Sequence, residues 1–339
     1  MNSCEEIKRM LEIEVVKVAG SSLPIFEKYR TLNLLHDKLC RKAIQHAEQW
    51  MNEAGYGMPP VPYCWFELGS GGRSERTIGN DQDHGMVYGE VDSDQTNEEY
   101  TSALHKYFTL FSQRISYELK LVGYPLCSGN VMSSNQRWRH SVLEWKQVIR
   151  TWIEARGLDE IRYLLILADM RAVYGEWALC QRLKSWMYDQ LYEQKDLQRR
   201  FVQHSLVHNI PLGVFYNLHY ERWGEHAGKY DVKEGGYYQL VNSVRIMAIA
   251  HNLDAVETKG RLGALYQSGM LSMSDYERWL SVLACFLDVR LRHHTGLYES
   301  GREQHNYVDT KSWSRGRMRE WKNMLYFLKC QQNRLAEII

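Results

Sequence analysis

The sequence predicts an α+β protein, and three observations lead there. Helical periodicity runs through residues 5–55; strand-like apolar runs fall within 59–175, around a glycine-rich turn; and beyond Gly175 helical stripes return and continue to the end. The expected organisation is an N-terminal helical segment (1–58), a sheet-bearing domain (59–175) and an all-helical C-terminal domain (176–339). A hydrophobic content of 44% over 339 residues is enough to build a core in more than one domain.

Taken in order, Met10, Leu11, Val15 and Val16, then Leu32, Leu35, Leu39 and Ala43 after Ser21-Ser22, recur at helical spacing and predict two or three helices. Gly55, Gly57 and Pro59-Pro60 interrupt that pattern, and Tyr63-Cys64-Trp65-Phe66 reads as a strand that ends at Gly69. Gly85-Met86-Val87-Tyr88 is a second strand. A capping box at Thr96-x-x-Glu99 then opens a helix with Leu104, Tyr107, Phe108, Phe111, Ile115 and Leu119 on one stripe, closed by Gly123 and Pro125. Trp138, Trp145 and Trp152 are spaced by seven, which predicts three core indoles on one face of a helix from Arg139 to Arg156. The run Tyr163–Ala168 is too short to distinguish a buried strand from a helix. Farther on, a capping box at Ser274-x-x-Glu277 and stripes such as Leu280, Leu283, Leu287, Leu291 and Met318, Leu325, Leu328, Leu335 predict helices.

The chemistry is concentrated in Leu68–Tyr88. Gly69-Ser70 forms a turn whose backbone N–H groups no side chain screens from a phosphate, and eleven positions after Ser70 comes Asp81-x-Asp83. In an extended segment residues i and i+2 share a face, so the two carboxylates stand side by side and call for a divalent cation, Mg²⁺ or Mn²⁺, between them. Together these pieces describe a metal–nucleoside triphosphate site. Arg73 and Arg76 lie between turn and acids and could reach triphosphate oxygens, with Glu75 orienting either one. A third acid is expected from a neighbouring strand, and Asp169, at the end of an apolar run, is the best candidate downstream; Asp92 and Asp94 read as a solvated turn. Ser128 and Asn130 form a polar turn that either faces the nucleotide or only connects two elements.

Gly69-Ser70 and Asp81-x-Asp83 resemble the signature of the DNA polymerase beta-like nucleotidyltransferase superfamily. The longer string through Asp83, with Cys127-Ser128-Gly129-Asn130-Val131-Met132, Trp138, Trp145, Asp169-x-Arg171 and Gly175, resembles a bacterial family of nucleotidyltransferases often fused to CBS or cyclic-nucleotide-binding domains. Asp231-Val-Lys233-Glu-Gly235, Val241-x-x-Val244-Arg245 and Thr258-Lys-Gly-Arg261-Leu262 are similar to the helical substrate-binding domain of the same family. The resemblance implies a mixed sheet flanked by helices, metal on Asp81 and Asp83, Asp169 as third acid, and Arg171 beside Gly69, Ser70, Arg73, Glu75, Arg76, Ser128 and Asn130 at the nucleotide. It leaves the acceptor, a protein or a small molecule, open. Gly71 departs from the Glu or Gln that relatives often carry, and His84 from their Asn.

Other signals are weaker. His204 and His208 have zinc-protease spacing without the glutamate base, and His36-Asp37 lacks the preceding histidine of a metal phosphohydrolase. In Arg302–Lys322, arginines alternate with Trp313 and Trp321, but Glu303, Asp309 and Glu320 dilute the charge, so a solvated helix face is expected. The formal charge of +1 supplies no net attraction to nucleic acid or anionic membrane, which counts against a nucleic-acid-end transferase. Seven singly placed cysteines and no apolar leader or spanning segment suggest a cytoplasmic protein with reduced thiols. An enzyme transferring NMP is the expectation; a non-catalytic nucleotide-binding module is the alternative.

Overall fold

The computed structural model describes residues 2–90, 98–207, 210, 212–213 and 217–338. Thr96 of the first capping box, Asp92, Asp94 and His208 lie outside the described residues. The chain divides into two compact units, one of Met1–Glu154 with Ile166–Met187 and the other of Ala155–Leu165 with Tyr188–Ile339.

The first unit begins with α1 (Asn2–Gly20) and α2 (Ile25–Glu53), which pack on each other. Next come β1 (Tyr63–Glu67), a single helical turn α3 (Gly69–Gly72), β2 (His84–Tyr88) and α4 (Glu98–Leu121), which packs on α2. β3 (Arg139–Ser141), α5 (Val142–Ala155), β4 (Arg171–Gly175) and α7 (Trp177–Tyr192), whose last turn belongs to the second unit, follow; α6 (Leu158–Leu167), between α5 and β4 in the chain, belongs mostly to the second unit. The ambiguous run before Asp169 is thus helical. The strands form one mixed sheet in the order β3-β2-β1-β4: β1 is antiparallel to β2 (Glu67 opposite His84) and to β4 (Glu67 opposite Arg171), whereas β2 and β3 are parallel. Every residue of β1 and β2 is buried, as expected for central strands rich in aromatic and β-branched side chains.

Two sequence expectations are corrected. Trp138 is not on the helix of Trp145 and Trp152; it ends a 3₁₀ turn, Gln136–Trp138, because Arg139–Ser141 pairs with β2 and the helix starts only at Val142. The indoles still meet, with centroids 6.0–6.5 Å apart, and Trp145 Nε1 donates to the Met86 carbonyl at 2.9 Å, so the cluster fastens α5 to the sheet. The second correction concerns α11 (Met273–Glu299), which is capped two residues before the expected box: Ser272 Oγ accepts from the Asp275 amide at 3.1 Å.

In the second unit α8 (Lys195–Val207) leads to a short antiparallel pair, β5 (Tyr230–Asp231) with β6 (Tyr307–Val308), that the expectation of helices alone did not include. The remaining elements are α9 (Tyr238–Ala250), α10 (Thr258–Gln267), α11 and α12 (Arg315–Ile338). Each residue from Gln239 to Ala250 is buried, and α8, α10 and α12 all pack on α9. A helix buried on all sides, here with Gln239, Asn242, Ser243 and Arg245 among its apolar residues, lies at the centre of its domain. No helix among the described residues is long and apolar enough to cross a membrane.

Buried histidines give the fold a pH response. Burial, reinforced by Arg76, lowers the His36 pKa to about 3; burial and neighbouring positive groups lower His293 to about 4 and His294 to about 3. Because these rings are neutral when folded and have an ordinary pKa of 6.5 when unfolded, the unfolded chain binds more protons below that value. Stability is therefore fully present above pH 6.5 and falls toward the folded values. Urea midpoints measured between pH 7.5 and 5, a window set by the ordinary histidine pKa, should drop steadily; an invariant midpoint would contradict this assignment.

Candidate active site

The glycine turn and the acid pair form one structure. After Leu68 the chain turns through α3, with Gly69 at φ +53°, a region that favours glycine. A Cβ at Gly69 would lie 2.6 Å from Asp83 Oδ2, so turn and carboxylate are in direct apposition. Leu68 N donates to the Asp83 carbonyl at 2.9 Å, closing the loop between them.

Asp81 and Asp83 immediately precede β2 in an extended segment. They are half-buried and alternate with buried Gln82 and His84, the period-2 pattern of an extended chain. The inward residues fix this segment. Gln82 Nε2 donates to the carbonyls of Ser116 (3.1 Å) and Tyr124 (2.9 Å), leaving its Oε1 to accept from His84 Nε2 at 3.1 Å. The Ser133 amide donates to His84 Nδ1 at 3.1 Å, which sets the tautomer with the proton on Nε2. Burial, then Arg76, lowers the His84 pKa to about 3, so the ring stays neutral. His84 thus serves as a clamp under the acids.

Among the described residues, one group of potential metal ligands converges: Asp81, Asp83 and Cys127, with ligand atoms all within 4.8 Å of one another. Burial and then Asp83 push the Cys127 thiol up to about 12. Cys127 was not among the expected ligands; its one sequence signal is that it begins the polar turn Cys127–Asn130, closed by Asn130 N on the Cys127 carbonyl at 3.0 Å. Ser128 and Asn130 are exposed on that turn, Asn130 at φ +54°.

Glu75 orients Arg73 as expected, but the arginines of the motif are otherwise engaged in buried pairs. Arg73 is buried, donating from Nε to Glu75 at 2.8 Å and from Nη1 to Asp169 Oδ2 at 2.5 Å. Asp169 is completely buried and is not a member of the converging group. Arg76 is paired with Glu67 and lies over the Tyr124 ring, 5.1 Å from its centroid. Burial opposes the charge of Arg76, but Glu67, Cys40 and Tyr124 together outweigh it and hold the pKa above the ordinary value. Arg171 makes a two-pronged pair with Asp37 at 2.8 and 2.9 Å, reaches Glu67 at 2.9 Å and donates to the carbonyls of Gly71 and Gly72. A Cβ at Gly71 would come within 2.6 Å of Glu67 Oε2 and 2.9 Å of the Arg76 guanidinium, which explains the glycine there.

The donor set suits a divalent cation. Two half-buried carboxylates at this separation repel, and oxygen ligands match Mg²⁺ or Mn²⁺, whereas a thiol adjacent to them favours softer ions. No curated protein matches the chain. Residues 15–158 match the family model described as "Putative nucleotidyltransferase DUF294", and residues 195–338 match its companion, "Putative nucleotidyltransferase substrate binding domain". With the glycine turn, the acid pair and helices α8 to α12 all falling inside these two matches, the chain belongs to the DUF294 nucleotidyltransferase family.

Proposed function

We propose that the protein transfers NMP from a nucleoside triphosphate to an acceptor hydroxyl, with Asp81 and Asp83 holding Mg²⁺ or Mn²⁺. The observation that carries this reading is the apposition of Gly69 and Asp83, which brings a phosphate-accepting turn and a carboxylate pair to one place. A cation bound there would neutralise triphosphate charge and align the reacting oxygens. The chain's own contribution is rigidity: Gln82 and His84 hold the acids from below, while the arginines and their carboxylates hold the turn.

Within this reading Ser70 and the turn amides receive phosphate, and Ser128 and Asn130 border the nucleotide. We assign Arg73, Glu75, Arg76 and Arg171 to shaping the turn. Asp169 fixes Arg73 and is not assigned as a metal ligand, because its buried carboxylate is already engaged by that guanidinium. Residues 195–338 hold the acceptor, a regulatory protein or a small molecule.

Label transfer from each α-labelled NTP, assayed with a cell lysate as acceptor source, tests the proposal. Asp81→Asn and Asp83→Asn should each lower transfer by about 100-fold or more, with an unchanged or raised melting temperature because like-charge repulsion is relieved. Undiminished transfer in both variants would sink the reading, and nucleotide binding without any transfer by the unaltered protein would make it a binding module. Asp169→Asn should lose activity and stability together, by about 2–3 kcal/mol in urea unfolding, since a buried guanidinium loses its charged acceptor. Activity lost at full stability would instead make Asp169 a ligand. Cys127→Ser should keep Mg²⁺-supported transfer within about threefold yet weaken inhibition by Cd²⁺, which prefers sulfur; equal Cd²⁺ sensitivity would remove Cys127 from the site.

A further inference from the structure

The second unit contains a cavity of about 620 Å³, none of whose residues the reading of the Asp81/Asp83 site names. It lies at the start of α12, and its wall includes Lys311, Arg315, Arg319 and Lys322 together with the rings of Tyr220 and Trp313. Arg315, Arg319 and Lys322 stand at i, i+4 and i+7, a single helix face. No carboxylate lines the cavity, and none of the four cations pairs with one among the described residues. Acids do occur nearby, but they are directed elsewhere. Asp309 accepts from the Lys311 amide at 2.9 Å, and Glu320, next to Arg319, is displaced by about 100° around the helix.

Four like charges converging on one concavity repel each other, and nothing in this wall offsets the repulsion. The aromatic rings are fixed. Tyr220 OH is bonded to Thr310 Oγ1 at 3.0 Å, and Trp313 is stacked under the Arg317 guanidinium, 4.2 Å from its centroid. A preformed apolar wall beside a cationic one suits a ligand that has both an anionic group and an organic body, and the volume falls in the range of small-molecule pockets.

We propose that this cavity binds a phosphate-bearing small molecule of nucleotide size. The net charge of +1 lacks the excess that polynucleotide binding usually brings, which favours a small ligand over a strand. The cavity lies within residues 195–338, which the proposed function gives to the acceptor, but its ligand binding is tested without transfer, so the two readings stand or fall separately.

Calorimetric titration of the full chain with inorganic tripolyphosphate and with ADP tests it. EDTA is present, so that the unneutralised acid pair repels both probes at the first unit. Both probes should bind, more weakly as salt is raised, and Arg315→Gln/Arg319→Gln should weaken both at least tenfold, about 1.4 kcal/mol. These two arginines are exposed, so the substitutions leave the fold intact. The charge-matched control Arg302→Gln/Arg334→Gln, at exposed sites outside the cavity, should stay within about twofold. Equal loss in the control, no binding by the unaltered protein at about 1 mM probe, or affinity that keeps rising with oligonucleotide length would each overturn the proposal. Because the readout needs neither metal nor turnover, failure here leaves the transfer reading standing, and the reverse also holds.

Discussion

Glu67 is the constraint on which the first unit depends. It ends β1, is wholly buried and accepts from both Arg76 and Arg171. Through Arg171 it is connected to Asp37 on α2, and Arg73 forms a second buried group with Glu75 and Asp169. Burying an ion costs several kcal/mol unless partners and hydrogen bonds arrive with it. The partners come from α2, β1, the turn and the approach to β4, separated by as many as 134 positions. No one of these segments can keep its charges out of water alone, so the four must assemble together.

That requirement separates two uses of charge within one short stretch. The arginines and their carboxylates neutralise each other and leave little for a ligand, whereas Asp81 and Asp83 keep charge exposed at the end of a segment braced by neutral groups. The neutrality of His84 matters in this bracing. A protonated ring could not accept from the Ser133 amide, and the bonds through Gln82 to Ser116 and Tyr124 depend on which ring nitrogen carries the proton. Rigid support beneath a charged pair holds ligand atoms in place without spending ordering entropy when a cation arrives.

Local features of the fold were legible because they are written in short-range pattern. The strand around Tyr63–Phe66, the strand at Gly85–Tyr88 and the long helices follow from periodicity and punctuation. The Asp81/Asp83 pair was legible for the same reason, as i and i+2 share a face whatever the surroundings. Trp138 was misread because spacing of seven fits a helix, and only pairing of Arg139–Ser141 with a distant strand shows otherwise. The Arg73–Glu75 pair was legible from adjacency, but Cys127 as a ligand and the partners from distant segments, Glu67, Asp37 and Asp169, were not: which carboxylate meets which guanidinium across segments is decided by sheet order, and one sequence carries no direct record of that. Arg73 and Arg76 looked like phosphate ligands by position, yet their chemistry serves buried pairing equally well.

The contact between Gly69 and Asp83 gives the eleven-residue interval of the motif a meaning beyond spacing. With Leu68 N bonded to the Asp83 carbonyl, the intervening chain is a closed loop whose two ends touch, and the gap between them is narrower than a methyl group. An interval of this kind behaves as the circumference of a ring rather than as a distance along a thread. A change in length has to be absorbed within that loop, because a one-residue slip carried into β2 would swap the faces of Asp81, Gln82, Asp83 and His84, turning the acids into the core and the braces toward solvent. The two halves of the motif are therefore built as a single part.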